Sequence, residues 1–129
     1  MQDRPTYDEL LHAVERWLDD EVVAKGQGAV RYQGRVAANV IRMVRRELER
    51  EEEALERERA GLDALLGAVE RPATRAALRE ALASRTEELC ARIRAGEADA
   101  GPFRASALDH VRRTVRDKLL VTNPGWPGE

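Results

Sequence analysis

Apolar residues recur at three- and four-residue steps through most of this chain, and this spacing predicts helices. The first run of this kind holds Leu10, Leu11, Val14, Trp17, Leu18 and Val22. A capping box precedes it, in which Thr6 caps the amide of Glu9 and the Glu9 carboxylate reaches back. Gly26 and Gly28 end the pattern, so the sequence predicts a first helix over 6–24.

The clearest amphipathic pattern lies in the second predicted helix, which begins near Ala29. On a helical wheel its apolar positions fall in one broad arc, formed by Val36, Ala37, Val40, Ile41, Met43, Val44 and Leu48. The opposite side carries Arg35, Asn39, Arg42 and Arg46. We expect the apolar arc to be buried and the basic side to face water or a partner.

The apolar arc of the second helix continues as far as Val69, through a segment at 47–59 that is almost entirely Glu and Arg. A straight helix over 29–69 would be ~60 Å long, whereas a chain of this size has a radius of gyration of ~14 Å. We therefore predict a break, with Gly61 as its site.

Three glutamates, Glu47, Glu51 and Glu58, interrupt the apolar arc. Glu47 is the strongest candidate for a buried carboxylate, which needs either a partner or a raised pKa. The simpler interpretation is that Glu47 lies at the edge of the bundle and is bonded to an Arg of a neighbouring helix. The alternative is that Glu47 is a functional carboxylate.

The third predicted helix starts at Arg71-Pro72, because Pro is favoured in a first helical turn, and it ends at Gly96. A second capping-box pattern, from Ser84 to Glu87, allows this helix to be split at Ala83–Ser84.

The last predicted helix opens at Gly101-Pro102, carries Leu108, Val111, Val115 and Leu119 in one stripe, and stops before Asn123-Pro124. No strand pattern is found. The sequence therefore predicts an all-α bundle of four to five helices with a long, charge-rich second helix. We expect one domain over 1–122 and an extended Pro/Gly/Trp tail over 123–129.

Composition narrows the environment and the partners of this chain. Its 129 residues fit one domain, and a net charge of −2 argues against nucleic acid as a partner. No apolar run reaches the ~20 residues of a membrane span, and no signal peptide precedes the first helix. The single Cys90 excludes an internal disulfide. We expect a cytoplasmic protein that binds no membrane.

No catalytic or metal-binding pattern stands out in the sequence. His12 and His110 are predicted on the polar flanks of their helices, far apart, and Cys90 is predicted in the core. These residues do not make a metal site or a nucleophile with its base. We therefore predict a protein that is not an enzyme and holds no metal or cofactor.

Basic residues give the best candidates for an interaction site. Between Val22 and Arg46 the chain has five arginines and no acidic residue, and the Glu-rich segment comes after them. The helix dipole favours acidic residues near the start of a helix and basic ones near its end, so this order is the reverse of the favoured one. An acidic partner, phosphates of a ligand, or acidic residues elsewhere in the fold would explain this order. The candidates for partner or phosphate binding are Arg31, Arg35, Asn39, Arg42, Arg45, Arg46 and, on the tail, Trp126. Trp126 either anchors a partner or caps its own bundle.

Several short motifs in a fixed order span nearly the whole chain: Arg4-Pro5-Thr6, Glu9-Leu10-Leu11, Arg35 to Val40, Val44 to Leu48, Glu88-Leu89-Cys90, Ile93 to Gly96, Lys118-Leu119 and Asn123-Pro124. In these motifs the chain resembles a small bacterial family of uncharacterised helical domains. The Glu-rich segment at 49–60 and the terminal Trp-Pro-Gly-Glu depart from the family pattern.

Members of that family are found beside, or fused to, kinases that resemble aminoglycoside phosphotransferases, often with acyl-CoA dehydrogenases nearby. The resemblance implies an accessory subunit for a kinase acting on hydroxyacyl-CoA-type substrates, with no catalytic residue of its own. The motif positions implied in partner contact are Arg35, Asn39, Arg45 and Arg46.

Three hypotheses of function follow. The leading one is a non-catalytic subunit that binds and supports a phosphotransferase-like kinase. The second is a small-ligand protein whose arginines grip the phosphates of an acyl-CoA. The third is a self-associating structural bundle, in which a homodimer completes a core poor in large side chains.

Overall fold

The computed structural model describes residues 3–126, and the fold is all-α, as predicted. The elements are α1 (Tyr7–Trp17), a π-helical segment (Leu18–Val23), α2 (Gly28–Leu66), α3 (Arg75–Arg94) and α4 (Gly101–Thr122). The described residues contain no β-strand. The long, charge-rich second helix is confirmed.

The chain divides into two compact units, unit 1 (Met1–Glu49) and unit 2 (Arg50–Glu129). Unit 1 holds α1, the π-helical segment and the first part of α2, and unit 2 holds the rest of α2 with α3 and α4. The single domain expected over 1–122 stays a prediction.

The start of α1 has the capping box that the sequence predicts. Thr6 Oγ1 accepts a hydrogen bond from the Glu9 amide at 3.2 Å, and the Glu9 carboxylate accepts one from the Thr6 amide at 2.7 Å. Two of the free amide groups of the first turn are thereby satisfied.

Unit 1 is an antiparallel hairpin in which α1 and the π-helical segment pack against α2. Asp8 is bonded to Arg45, Glu15 to Arg42, and Val22 lies against Gly34. A Cβ on Gly34 would lie 2.8 Å from Val22 Cγ1, so only glycine permits this approach. Gly34 and, one turn later, Ala38 are buried.

The predicted burial of the whole apolar arc of α2 is wrong in unit 1. Val36, Val40, Val44 and Leu48 are between 41% and 51% exposed. The reason is that α1 packs along the row of Gly34, Ala38, Arg42 and Arg45, which lies to one side of that arc.

The predicted break at Gly61 is also wrong, because α2 is one helix of 39 residues, ~58 Å long. Gly61 serves packing instead: a Cβ there would lie 2.2 Å from Nδ1 of His110. The helix ends at Leu66, and the next residue is Gly67, whose φ of +93° lies in the left-handed region that favours glycine.

The core of unit 2 forms where α3 and α4 pack against the C-terminal part of α2. Its buried residues are Leu62, Leu78, Leu82, Leu89 and Ala107, with Leu55, Leu65, Leu66 and Phe103 packed around them. Apolar side chains therefore line the contact on all three helices.

The boundaries of α3 and α4 follow local chemistry. Helix α3 begins at Arg75 rather than at Pro72, because Thr74 Oγ1 accepts a hydrogen bond from the Ala77 amide at 3.1 Å. It is continuous across the predicted split at Ala83–Ser84. Helix α4 has Pro102 in its first turn and ends at Thr122, as predicted.

Residues 123–126 of the predicted tail are not helical, while 127–129 lie outside the described residues. The Trp126 amide donates a hydrogen bond to the Asn123 carbonyl at 3.0 Å, which turns the chain after α4.

Candidate interaction surfaces

Two arginines of the predicted basic face form ion pairs inside unit 1. Arg42 Nε donates to Glu15 Oε1 at 2.9 Å, and its guanidinium also pairs with Asp19. Arg45 Nε donates to Asp8 Oδ1 at 2.8 Å, and its Nη1 donates to Glu15 Oε2 at 2.6 Å. Acidic residues elsewhere in the fold, one of the three explanations open from the sequence, therefore account for these two arginines.

The electrostatics of this cluster follow from hydrogen bonding. Hydrogen bonding to Arg45 lowers the pKa of Asp8. Burial by itself would raise the pKa of Glu15, but hydrogen bonds from Arg45 and Arg42 outweigh it and lower that pKa below the usual range. The bonds to Asp8 and Glu15 in turn raise the pKa of Arg45. Both carboxylates are thus held ionised by their arginine partners.

The other candidates on α2 have different environments. Arg31, Arg35 and Asn39 are exposed and follow one another at four-residue steps, and Arg46 is half-buried. The Asn39 side-chain amide lies 3.8 Å from Met43 Sδ, a weak contact. Three of the seven predicted site residues therefore form an exposed polar strip along the start of α2.

The buried carboxylate of the apolar arc is Glu51, not Glu47. Glu47 is exposed, whereas Glu51 is only 6% exposed and pairs with Arg75 at 3.3 Å and with Arg79. Because two arginines of α3 neutralise it, Glu51 has the structural role proposed for Glu47. Its place in the arc was visible in the sequence, but the partners on α3 were not.

A second buried ion pair, between Arg85 and Asp63, was missed by the sequence analysis. Arg85 pairs with Asp63, and its Nη2 donates to the carbonyls of Leu62 at 3.1 Å and Gly67 at 2.5 Å. The hydrogen bond from Arg85 lowers the pKa of Asp63. Arg85 falls within the apolar spacing of Leu78, Leu82 and Leu89, a signal that could have identified it as buried.

Two further predictions concern His110 and Cys90. His110 is only 5% exposed, so its predicted position on a polar flank is wrong; the absence of a side chain at Gly61 makes room for the imidazole. Burial lowers the pKa of His110. Cys90 is a free thiol and is half-buried at the edge of the core.

The outer side of α4 exposes apolar residues beside the tail. Leu108, Val111 and Val115 are between 42% and 48% exposed, and Trp126 is 62% exposed. Val111, Val115 and Trp126 line a groove of about 640 Å³. We name it the α4 groove, lined by Val111, Arg112, Val115, Arg116, Leu119 and Trp126. Its lining is mixed, with apolar side chains next to arginines and the carboxylate of Asp109.

Unit 1 exposes apolar residues as well. On α1, Tyr7, Leu10, Val14 and Trp17 are between 46% and 59% exposed. On α2, the exposed apolar residues are Val36, Val40, Val44 and Leu48, which we name the exposed stripe of α2. Both units therefore leave apolar helical surface uncovered, which is typical of interaction sites.

Residues 3–126 contain neither a metal-ligand cluster nor a membrane-spanning helix. Within this range no three or more His, Cys, Asp or Glu side chains are grouped so that they could hold a metal ion. None of the helices described here combines the length and the apolar character needed to cross a membrane.

Comparison with known proteins gives one family. No curated protein and no solved structure matches the chain. The model of the DUF6285 family, a domain of unknown function, matches residues 24–126, a range that takes in α2, α3 and α4 and leaves out α1. The resemblance to a family of uncharacterised domains is therefore confirmed, while the link to kinases and dehydrogenases stays a prediction. The chain belongs to the DUF6285 family.

Proposed function

We propose that this chain is a non-catalytic subunit that docks on a protein partner through the α4 groove. The partner proposed is a kinase that resembles aminoglycoside phosphotransferases and acts in hydroxyacyl-CoA metabolism. The choice of a kinase rests on the family resemblance carried by the sequence motifs, and the choice of surface rests on the geometry of α4.

The α4 groove is the observation that carries the proposal. Its apolar lining residues Val111, Val115 and Trp126 are exposed, and Arg112 and Arg116 also line it. The cores of protein interfaces are enriched in aromatic residues and arginine, and hot spots combine such anchors with a surrounding ring that excludes water. A Trp at the end of a helix, against an apolar stripe, has this composition.

The polar strip of α2 supports the docking of an acidic partner. Arg31 and Arg35 are exposed, and exposed charges of one sign speed and orient association more than they tighten it. Because Arg42 and Arg45 already pair within unit 1, charge reversal there would disturb the fold. Arg31→Glu with Arg35→Glu is therefore the variant that isolates steering, and we expect slower association with little change in thermal stability.

The proposal is tested by co-expression with a kinase of the aminoglycoside-phosphotransferase-like class from the same organism, followed by a sizing column. We expect the two proteins to elute as one complex, and Val111→Asp with Val115→Asp to abolish co-elution while helicity is kept. The matched control is Val69→Asp, a change at a valine that is 53% exposed outside the groove. Separate elution of the wild-type proteins, or a complex that survives the double substitution, contradicts the proposal.

A ligand-binding role is the second candidate, because a groove lined by apolar residues and arginines also fits an acyl-CoA. The acyl chain would lie on Val111 and Val115, and the phosphates would bind the arginines. A ligand that binds the native state raises the melting temperature of the isolated protein. We expect an acyl-CoA thioester to do so in the wild type and not in Val111→Asp; no shift in the wild type at millimolar thioester excludes this role.

A further inference from the structure

Unit 1 is a two-helix hairpin with two different sides. Its helices are antiparallel, since Asp8 meets Arg45 and Val22 meets Gly34. One side carries the pairs that Arg42 and Arg45 form with Asp8, Glu15 and Asp19. The charged groups of that side satisfy one another within the chain, so it needs no partner.

Helix α1 carries two apolar seams, of which α2 covers only one. Leu11 and Leu18 are half-buried on the seam that Glu15 shares. The other seam is Tyr7, Leu10, Val14 and Trp17, at steps of three, four and three residues. This is the a/d spacing of a coiled-coil seam, which suits packing against a further helix. All four of its residues are at least 46% exposed.

The uncovered seam of α1 and the exposed stripe of α2 lie on the same side of the hairpin. Consider two antiparallel helices, each viewed along its own axis from its N-terminus. Residues that lie clockwise of the contact line on one helix are then on the same side of the pair as residues that lie clockwise of it on the other helix. On helical wheels, Asp8, Glu15 and Arg42 are turned one way from the contact line, whereas the seam of α1 and Val40, Val44 and Leu48 of α2 are turned the other way. Val36 continues that stripe at its outer end, nearly opposite Gly34. We name this surface the hairpin face: Tyr7, Leu10, Val14, Trp17, Val36, Val40, Val44 and Leu48.

The size of the hairpin face matches a specific interface. At their observed exposures its eight side chains leave on the order of 700 Å² of apolar surface in water, close to the ~800 Å² that each partner buries in a standard interface. Monomeric proteins rarely expose that much contiguous apolar surface. In the described part of unit 1, Ala38 is the one hydrophobic residue that is fully buried. A second layer is therefore missing from this unit.

We propose that the hairpin face binds the hairpin face of a second copy of this chain. Two antiparallel hairpins packed face to face make a four-helix bundle, whose core positions are supplied by the open seams. With a two-fold axis, both copies use the same surface patch at the interface. None of the eight residues is charged, so the symmetry places no like charges opposite each other. Each copy supplies the layer that the other lacks.

Sedimentation equilibrium of the full chain tests the proposal. We expect a reversible dimer, and Val14→Asp with Val40→Asp should weaken it by roughly a hundredfold or more, since two carboxylates would enter an apolar interface. The two valines are 46% and 51% exposed within one copy, so the hairpin itself tolerates the change. The matched control, Val115→Asp on α4, should dimerise like the wild type.

The outcomes are decisive in both directions. A wild-type chain that stays monomeric at hundreds of micromolar overturns the proposal. So does a double variant that dimerises as well as the wild type, and loss of the dimer in Val115→Asp alone would assign the interface to the α4 groove. The hairpin face and the α4 groove are different surfaces. The proposal of kinase binding and the proposal of self-association can therefore be contradicted independently of each other.

Tryptophan fluorescence gives a second measurement that needs no disruptive substitution. The chain has two tryptophans, so Trp126→Phe leaves Trp17 as the only emitter. Trp17 is 58% exposed in one copy, and a dimer would cover it. We expect its emission to shift to the red, and acrylamide to quench it more, as the protein is diluted. Emission of a water-exposed Trp at every concentration contradicts the proposal.

Discussion

Glu15 Oε2 accepts a hydrogen bond from Arg45 Nη1 at 2.6 Å, while the other oxygen of the same carboxylate binds Arg42. One half-buried carboxylate thus joins two arginines that lie three residues apart on α2. The negative charge comes from α1 and the positive charges from α2. This contact therefore sets the register of the two helices in the hairpin, which a salt bridge within one helix would not do.

Replacing Glu15 should destabilise the protein more than replacing an exposed acidic residue. Glu15→Ala removes two charge-assisted hydrogen bonds, and we expect a loss of about 2 kcal/mol in the free energy of unfolding. Asp20→Ala is the control, because Asp20 pairs with Arg16 at 3.7 Å and both side chains are at least 65% exposed. Urea unfolding followed by circular dichroism measures both; equal losses would show that the bridging geometry contributes nothing.

Acid should unfold the protein because four carboxylates have lowered pKa values. Asp8, Glu15, Glu56 and Asp63 release their protons more readily in the folded chain than at the ordinary values of 3.8 for Asp and 4.5 for Glu. The unfolded chain therefore binds more protons, and the stability that these groups contribute is present above their unfolded pKa and lost as pH falls through the folded one.

We expect the melting temperature to fall from about pH 5 downward on this account. In Glu15→Gln the fall should be shallower, since one of the four groups no longer titrates. Thermal melts in a pH series measure this slope. An identical slope in the variant would exclude Glu15 as a source of the acid sensitivity.

Arg85 should tolerate neither truncation nor replacement by lysine. Arg85→Ala leaves Asp63 without its buried partner and removes the hydrogen bonds to the Leu62 and Gly67 carbonyls, so we expect a loss of about 3 kcal/mol. Arg85→Lys keeps the charge but loses the planar fork that reaches all three acceptors, and should recover only part of the stability. Arg94→Ala, an exposed change on the same helix, is the control. Full recovery by lysine would show that charge alone matters.

Gly61→Ala should destabilise this helix although alanine is the better helix former. The added Cβ would lie 2.2 Å from His110 Nδ1, and overpacking of this kind costs about 2 kcal/mol. The rescue control is the same change in a His110→Ala background, where the methyl group enters space that the imidazole has left. There we expect Gly61→Ala to be neutral or stabilising, as measured by thermal melts. A loss in both backgrounds would contradict contact with His110 as the cause.

Local chemistry made much of the fold predictable from the sequence. The capping box at Thr6, the start of α4 at Pro102 and its end before Asn123 depend on residues close in the chain, and each was predicted correctly. The continuity of α2 was not predicted, because a glycine that breaks a helix and one that admits a neighbouring side chain look alike in sequence. His110, which decides between them, is 49 positions away.

The candidate site was harder to predict for the same physical reason. The excess of arginine between Val22 and Arg46 is real, but whether it faces a partner depends on which acidic residues the fold brings near. Asp8 and Glu15 on α1 pair with Arg45, whereas Arg31 and Arg35 stay exposed. Similarly, the apolar arc of α2 is wider than the surface that one neighbouring helix can cover. The sequence therefore indicated that the arc is buried, but it did not show how many helices pack against it.

The C-terminal end of α2 is held by residues that are synthesised later. Arg85 binds the carbonyls of Leu62 and Gly67, and Arg92 donates to the Leu65 carbonyl at 3.2 Å. On the ribosome, α2 is therefore synthesised before these side-chain donors exist, and the carbonyls at its end have no arginine partner until α3 emerges. The ion pairs of the hairpin all lie before residue 46, so we expect unit 1 to fold first during translation and unit 2 to follow it.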